Sequence, residues 1–435
     1  MSSNPTPTPL ILSIPNEILH HILSFLPDLS HGEPFIQFQL NGEDYEASQM
    51  LVLRSVCRLF RAITAELDFW YDADFSFADL VSSSHNDLFM RHDQEERFLR
   101  VLFTDASLVE SLGRRKTDWM FESLEGLIAV MDGVPLFIQN ARTIYLEIME
   151  DDEMLDSDVD LSSLDMAIDT LATCSHITTL NIRLADTVHL TEIATSFPSL
   201  ENLSCTETNH FHGSLQELSR LQSLHIHIHT PGDDELTHPL LPLRSAETLT
   251  RLNLTGIDFP FFDAEPLDAF INLKSLNIGP LCDRICDFIV RARIQLDVFE
   301  TELLKRHAPI DIFVNMLRAE SLRNLKEFGL SNWHEDNSDR HATERYWSLV
   351  IDAFTSMLPS VEEVQLDAPL HLKCCRHFGR MVNLKILNWD GSPYPYFGCG
   401  TTNNPKPKIE RALGAAFANF MEKPQFAVHY LGGFS

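Results

Sequence analysis

Apolar positions in this chain follow two different periods. From residue 141 onward a six-residue template, apolar-x-x-apolar-x-apolar, recurs as ARTIYL (141–146), ITTLNI (177–182), LENLSC (200–205), LQSLHI (221–226) and LTRLNL (249–254). It continues as LKSLNI (273–278), LKEFGL (325–330), VEEVQL (361–366) and LKILNW (384–389). The copies lie roughly 20 to 36 residues apart, with one gap of about 50 in which RIQLDV (293–298) reads as a degenerate copy. Alternation within a copy predicts a half-buried strand, whereas SSLDMAIDTLATC, DRICDFIVRARI and YWSLVIDAFTSML between copies carry the helical period. Nine copies, many with Asn or a small residue after the second apolar position, make chance a poor account of the pattern.

A strand-plus-helix unit cannot bury its apolar face alone, so stacking must close the core. These units are identified as leucine-rich repeats of an irregular kind. The resemblance implies an α/β solenoid with parallel strands on the concave face and helices outside. Upstream, DQEERFLRVLFTDASLVESL and DWMFESLEGLIAVM read as amphipathic helices, suited to capping the open end of the stack over 73–140. Downstream, Gly391 to Lys408 is rich in Pro, Gly, Asn and Thr and reads as a loop, and Ile409 to Met421 as a terminal helix within a C-terminal cap, 392–435.

The N-terminal pattern differs. In IPNEILHHILSFL (14–26), Ile18, Leu19, Ile22, Leu23, Phe25 and Leu26 fill one helical arc of roughly 160°, wider than the ~100° a core-facing stripe requires. Asn16, Glu17, His20, His21 and Ser24 fill the other side. Ser13 is placed to cap the helix, Pro15 falls in its first turn where no N–H is needed, and Glu17 complements the positive end of the dipole. So wide an arc means either a helix clamped inside its own domain or one edge kept for a partner. A second amphipathic segment, LVLRSVCRLFRAITAELDFW (51–70), presents Val52, Val56, Leu59, Phe60 and Ile63 on one face and Arg54, Arg58 and Arg61 opposite.

Ser-Ile-Pro-Asn-Glu-Ile-Leu with Ile-Leu-Ser-Phe-Leu, then Leu-x-Leu-Arg-Ser-Val-Cys-Arg-x-Phe-Arg, closed by Phe69-Trp70, resembles an F-box. That family is a three-helix module docking on the Skp adaptor of cullin-RING (SCF) ubiquitin ligases. The resemblance implies an F-box over 13–72, after a disordered Pro/Thr-rich lead-in at 1–12. The Skp contacts it implies are Ile14, Pro15, Glu17, Ile18, Leu19, Ile22, Leu23 and Leu26 from the first half, and Leu53, Val56, Cys57, Phe60 and Trp70 from the second. The chain departs from the pattern by an insertion, 28–49, which includes Phe35, Ile36 and Phe38. Asp44 is able to cap a helix extended back to Tyr45, and loop length adds only about 0.6 kcal/mol of closure entropy per doubling. F-box, helical spacer and degenerate repeats, in that order, are similar to many fungal F-box proteins, with motif-level support concentrated in 13–70.

Charge narrows the partners. With 63 acidic and 33 basic residues the net charge is -30, a field that repels nucleic acid and anionic lipid and favours basic protein segments. No apolar run approaches the ~18 residues of a membrane span, and MSSNPTPTP lacks the basic and apolar regions of a signal peptide. Eight cysteines without paired spacing read as reduced thiols, mostly core residues, in an intracellular protein of cytoplasm or nucleus. Cys282 and Cys286 could share a helical face near His307, but nothing completes a four-ligand metal site.

LHIHIHT (224–230) sets His225, His227 and His229 on one strand face, about 7 Å between successive Cα atoms. Such imidazoles could ligate a metal, form a pH-sensitive recognition surface opposite buried Leu224, Ile226 and Ile228, or simply be solvated. The expectation adopted is a target-binding surface, with no metal and no cofactor. The acidic run EIMEDDEMLDSDVDL (147–161) reads as a solvated loop or as a trap for a basic target segment. No phosphate loop, HExxH, G-x-S-x-G or kinase set is present, so no enzyme is expected. The reading is a receptor that bridges Skp, and through it cullin, to a target protein; the alternatives are an Skp-bound regulator and a plain repeat scaffold.

Overall fold

The computed structural model describes residues 117–121, 140–148, 176–184 and most of 187–430, with a few positions between. The chain divides into two compact units, Met1–Leu184 and Ala185–Ser435. In the first, β1 (Asp118–Phe121), β2 (Thr143–Ile148) and β3 (Thr179–Leu184) pair in parallel, with Trp119 opposite Ile144 and Ile144 opposite Leu180.

β1 corrects the helix expected over DWMF. Trp119 and Phe121 are buried while Asp118 is exposed, an alternation of period two that four residues are too short to announce against the helical pattern following it. The repeats therefore begin one copy earlier than ARTIYL.

The second unit is a nine-stranded parallel sheet whose order is the order of the chain. Its strands are β5 (Asn202–Thr208), β7 (Ser223–Ile228), β8 (Arg251–Thr255), β9 (Ser275–Ile278), β10 (Val298–Glu302), β11 (Glu327–Ser331), β12 (Glu363–Asp367), β13 (Ile386–Gly391) and β14 (Gln425–Tyr430). A small parallel pair, β4 (Thr187–His189) and β6 (His210–His212), stands apart from it. Between β4 and β5 lies α1 (Leu190–Ser196).

Parallel neighbours require a crossover on one face, and the chain supplies two kinds. Short 3-10 turns at Leu243–Ser245 and Glu265–Ala269 lead into β8 and β9. Helices α2 (Asp283–Arg291), α3 (Ile310–Leu317), α4 (Arg340–Met357), α5 (Cys375–Phe378) and α6 (Lys406–Ala416) lead into β10 to β14.

Each template copy predicted from the sequence becomes a strand that starts at its third residue, and its fourth and sixth residues point inward. Leu203, Leu224, Leu252, Leu276, Phe299, Phe328, Val364 and Leu387 form one fully or nearly fully buried inward column along β5 to β13. Against it the helices bring Ile285, Phe288, Phe313, Val350, Ile351 and Phe354. Aromatic rings link the sheet to the helices: Phe299 to Phe328 at 6.3 Å, Phe328 to Phe354 at 5.0 Å, Phe354 to Phe378 at 6.0 Å and Phe378 to Trp389 at 5.5 Å.

The degenerate copy lies three residues beyond RIQLDV. β10 uses Leu296, Phe299 and Thr301 as its inward residues, and Thr301 stands where other copies have an apolar side chain. Its hydroxyl donates to the Ile278 carbonyl at 2.7 Å, which satisfies the buried oxygen. A further copy, absent from the predicted repeats, is β14: the loop and helix expected after Gly391 are followed by a strand whose Val428 is buried.

The joints between repeats recur as well. The second residue of a copy offers one carbonyl to two N–H groups of the next, as Lys274 does to Asp297 and Val298, and Asp297 to Lys326 and Glu327. Just before the first apolar residue of three copies a polar side chain reaches back: Thr248 donates to Leu221 O, Asn272 to Glu247 O and Asn383 to Pro359 O. Ser245, fully buried, donates to Leu218 O at 2.7 Å and accepts from Leu221 N–H at 3.0 Å. Lys326 with Asp297 and Lys385 with Glu362 add exposed ion pairs, worth about 0 to 1 kcal/mol each.

Candidate functional site

With one sheet face committed to the core, residues three, five and seven of each copy form the open face of the second unit. The register makes this face two surfaces. On β7 to β9 the outward residues are Ser223, His225 and His227, then Arg251, Asn253 and Thr255, then Ser275, Asn277 and Gly279. On β10 to β13 they are Val298, Glu300 and Glu302, then Glu327, Gly329 and Ser331, then Glu363, Gln365 and Asp367, then Ile386, Asn388 and Asp390. The first set holds no carboxylate; the second holds six and no base.

Two glycines shape the acidic side. A Cβ on Gly329 would fall 2.6 Å from Glu300 Cγ, and one on Gly279 would fall 2.7 Å from Glu302 Cγ. The stems of the two glutamates of β10 therefore lie beside neighbours without a side chain, Glu300 beside Gly329 and Glu302 beside Gly279. Asn277 Nδ2 donates to Glu300 Oε2 at 2.8 Å, joining the two surfaces. Burial raises the Glu300 carboxyl above its ordinary value, and the nearby Glu327 and Glu363 charges add to the shift; burial alone raises Glu302. Glu302 Oε2 is shielded from solvent with no hydrogen-bond partner among the described residues.

A carboxyl whose folded pKa lies above its unfolded value costs stability while ionised, and that cost is relieved as pH falls through the folded pKa. Glu300→Gln, which keeps an acceptor for Asn277, is therefore expected to raise the thermal midpoint at pH 7.5. The gain should shrink as the pH is lowered toward the carboxylate range, as thermal unfolding at pH 7.5 and pH 5 would show. An unchanged or lower midpoint at pH 7.5 would mean that Glu300 is favourably held.

His225 and His227 lie where alternation put them, half-buried on the outward side, with Leu224 and Ile226 fully buried beneath. His225 Nδ1 lies 3.3 Å from Ser204 Oγ on β5, and His227 Nδ1 lies 2.8 Å from Thr255 Oγ1 on β8. Burial, with a smaller effect from His227, lowers the His225 pKa below its ordinary value. His229 lies outside the described residues, as do Ile14, Pro15, Glu17, Ile18, Leu19, Ile22, Leu23, Leu26, Leu53, Val56, Cys57, Phe60 and Trp70. Apart from the end of β2, the acidic run at 147–161 also lies outside them.

Among the described residues no three His, Cys, Asp or Glu side chains are placed to hold a metal ion. Cys174, Cys205, Cys286, Cys374 and Cys375 are buried and Cys282 is half-buried. Burial pushes Cys205, Cys286 and Cys375 up to about 12, which leaves them protonated and poor nucleophiles at neutral pH. Among the same residues no helix is long and apolar enough to cross a membrane.

The acidic half of the face escaped sequence reading because Glu300 and Glu302 belong to the copy masked by Thr301. The signal that finds them is LDVFETE, in which Val298, Glu300 and Glu302 alternate with Phe299 and Thr301 once the register is known.

No family model and no curated protein matches the chain. Among solved structures it is similar to the receptor in a TLR13–ssRNA13 complex, at 13% identity and a TM-score of 0.35, over 68% of this chain and 45% of that one. The chain thus spans less than half the length of that receptor. It is also similar to a leucine-rich-repeat protein of Leptospira interrogans, at 13% identity and a TM-score of 0.33, over 82% of this chain and 95% of that one. Neither likeness is close enough to transfer a function, and the repeat fold rests on the register of β5 to β14, a parallel sheet of leucine-rich-repeat type.

Proposed function

We propose that this chain is a substrate-receptor subunit of an SCF-type cullin-RING ubiquitin ligase. Residues 13–72 act as the F-box and dock on Skp, and the open face of the repeats holds the target protein. What supports the reading is one combination: both halves of the F-box motif, in order, ahead of a repeat sheet whose outward side is polar and graded in charge.

On this reading the chain performs no bond chemistry. It converts a bimolecular ubiquitin transfer into a local one by raising the effective concentration of target near the conjugating enzyme. The six outward carboxylates of β10 to β13 suit a basic target segment, whose cations would relieve their mutual repulsion.

The test is affinity capture of the full chain from cells, followed by identification of the retained proteins and by measurement of which captured protein accumulates when the chain is removed. Retention of Skp and cullin with an accumulating target is the expected result. Skp and cullin without an accumulating target would indicate an adaptor-bound regulator, and neither would leave a repeat scaffold.

A further inference from the structure

The histidine side of the face has chemistry of its own. The whole chain carries a net charge of -30, yet nine consecutive outward positions on β7, β8 and β9 include no acid. They hold instead two imidazoles, one guanidinium and a set of hydroxyls and amides, all groups able to donate to an anion. The ionisable groups among them are His225, His227 and Arg251; on β5, Asn202 and Ser204 lie opposite Ser223 and His225, and on the other side Glu300 and Glu302 of β10 border Asn277 and Gly279.

We propose that the outward side of β7 to β9 takes an acidic segment of the target protein, with His225 and His227 as its carboxylate contacts. The proposal rests on the reading of this face as the target platform and adds the chemistry it selects. Charge complementarity is the reason for the commitment. A carboxylate placed over β7 and β8 meets no outward acid on those strands, with Glu300 and Glu302 of β10 bordering only the β9 edge, whereas over β10 to β13 it would meet six. A target spanning both surfaces carries its acidic segment beside its basic one.

Binding on these terms takes up protons. In the free protein burial disfavours the charged form of His225, and the nearness of His227 disfavours it further. A bound carboxylate favours that form, so its arrival raises the pKa, and affinity climbs as pH falls through the interval between the free and bound values. Each imidazole that ionises on binding contributes up to tenfold per pH unit in that interval.

The experiment is calorimetric titration of the full chain with a blocked hexaglutamate peptide at pH 7.5 and pH 5.5, repeated in buffers of different ionisation enthalpy. Expected are binding about tenfold or more tighter at pH 5.5 and net proton uptake, both lost in His225→Asn/His227→Asn, which keeps a polar atom near each Nδ1. His225→Ala/His227→Ala provides a second variant, with circular dichroism confirming the fold of each. No binding at pH 5.5, or a pH dependence that survives both double variants, would overturn the proposal, as would binding of a phosphoserine peptide in place of hexaglutamate. Failure of the ligase reading would appear separately, as absence of Skp from the captured proteins, and would leave this titration unaffected.

Discussion

Ile18→Asp in the full chain is expected to abolish capture of Skp, and Leu23→Asp to do the same, with far-ultraviolet circular dichroism unchanged. Both residues belong to the apolar arc that the sequence predicts for a helix over 14–26, and the F-box resemblance implies that this arc meets the adaptor. A carboxylate introduced into an apolar contact loses its hydration without gaining a partner, and the interface also loses the aliphatic group it was shaped around. The two effects together come to about 4 kcal/mol or more, roughly a thousandfold in affinity. Asn16→Ala, on the polar side and outside the implied contacts, should cost less than tenfold, because it removes no buried apolar area. Full capture by both Asp variants would show that this helix does not face Skp.

Phe354→Ala is expected to lower the unfolding free energy of the repeats by about 3 to 5 kcal/mol. Phe354 on α4 is fully buried and lies between Phe328 of β11 and Phe378 of α5, with ring centroids at 5.0 and 6.0 Å. Removing the ring therefore opens a cavity where three successive repeats meet. In a stack whose cohesion is largely nearest-neighbour coupling, such a loss weakens the joint as well as the single repeat. Urea unfolding followed by tryptophan fluorescence should show an earlier transition, since Trp389 continues the same aromatic series at 5.5 Å from Phe378. A change below about 1 kcal/mol would mean that the neighbouring rings close the gap, and that the series is not a cooperative joint.

The inward half of the repeat architecture was readable from sequence because burial imposes a period of two that few side chains violate. Where it failed, the cause was local each time. Thr301 broke the apolar template of β10 and solved its burial by hydrogen bonding to a carbonyl outside its own copy. Trp119 and Phe121 alternate over too few residues to override a helical reading. β14 begins after Pro424 and keeps only Val428 fully inward of the usual apolar pair.

The outward half was harder to read, for a physical reason. Alternation places His225 and His227 on the open face, but what lies beside an outward residue depends on register between strands about 20 to 30 residues apart in sequence. That Glu302 lies beside Gly279 is seen only in the three-dimensional structure, and that Glu300 lies beside Gly329 is set by strand pairing. The division of the face into an acidic and a non-acidic side follows likewise. The proposed F-box rests on resemblance to a family, and its residues lie outside the described ones.

The account depends most on an N-terminal apolar helix that a foreign subunit completes. The most direct measurement is titration of purified Skp into the full chain, followed by size-exclusion chromatography with mass determination of the peak. The prediction is a one-to-one complex, formed at or below about 1 μM and lost with Ile18→Asp. Separate elution of the two proteins at concentrations about a hundredfold higher would contradict it and leave a repeat protein whose first helix serves its own core.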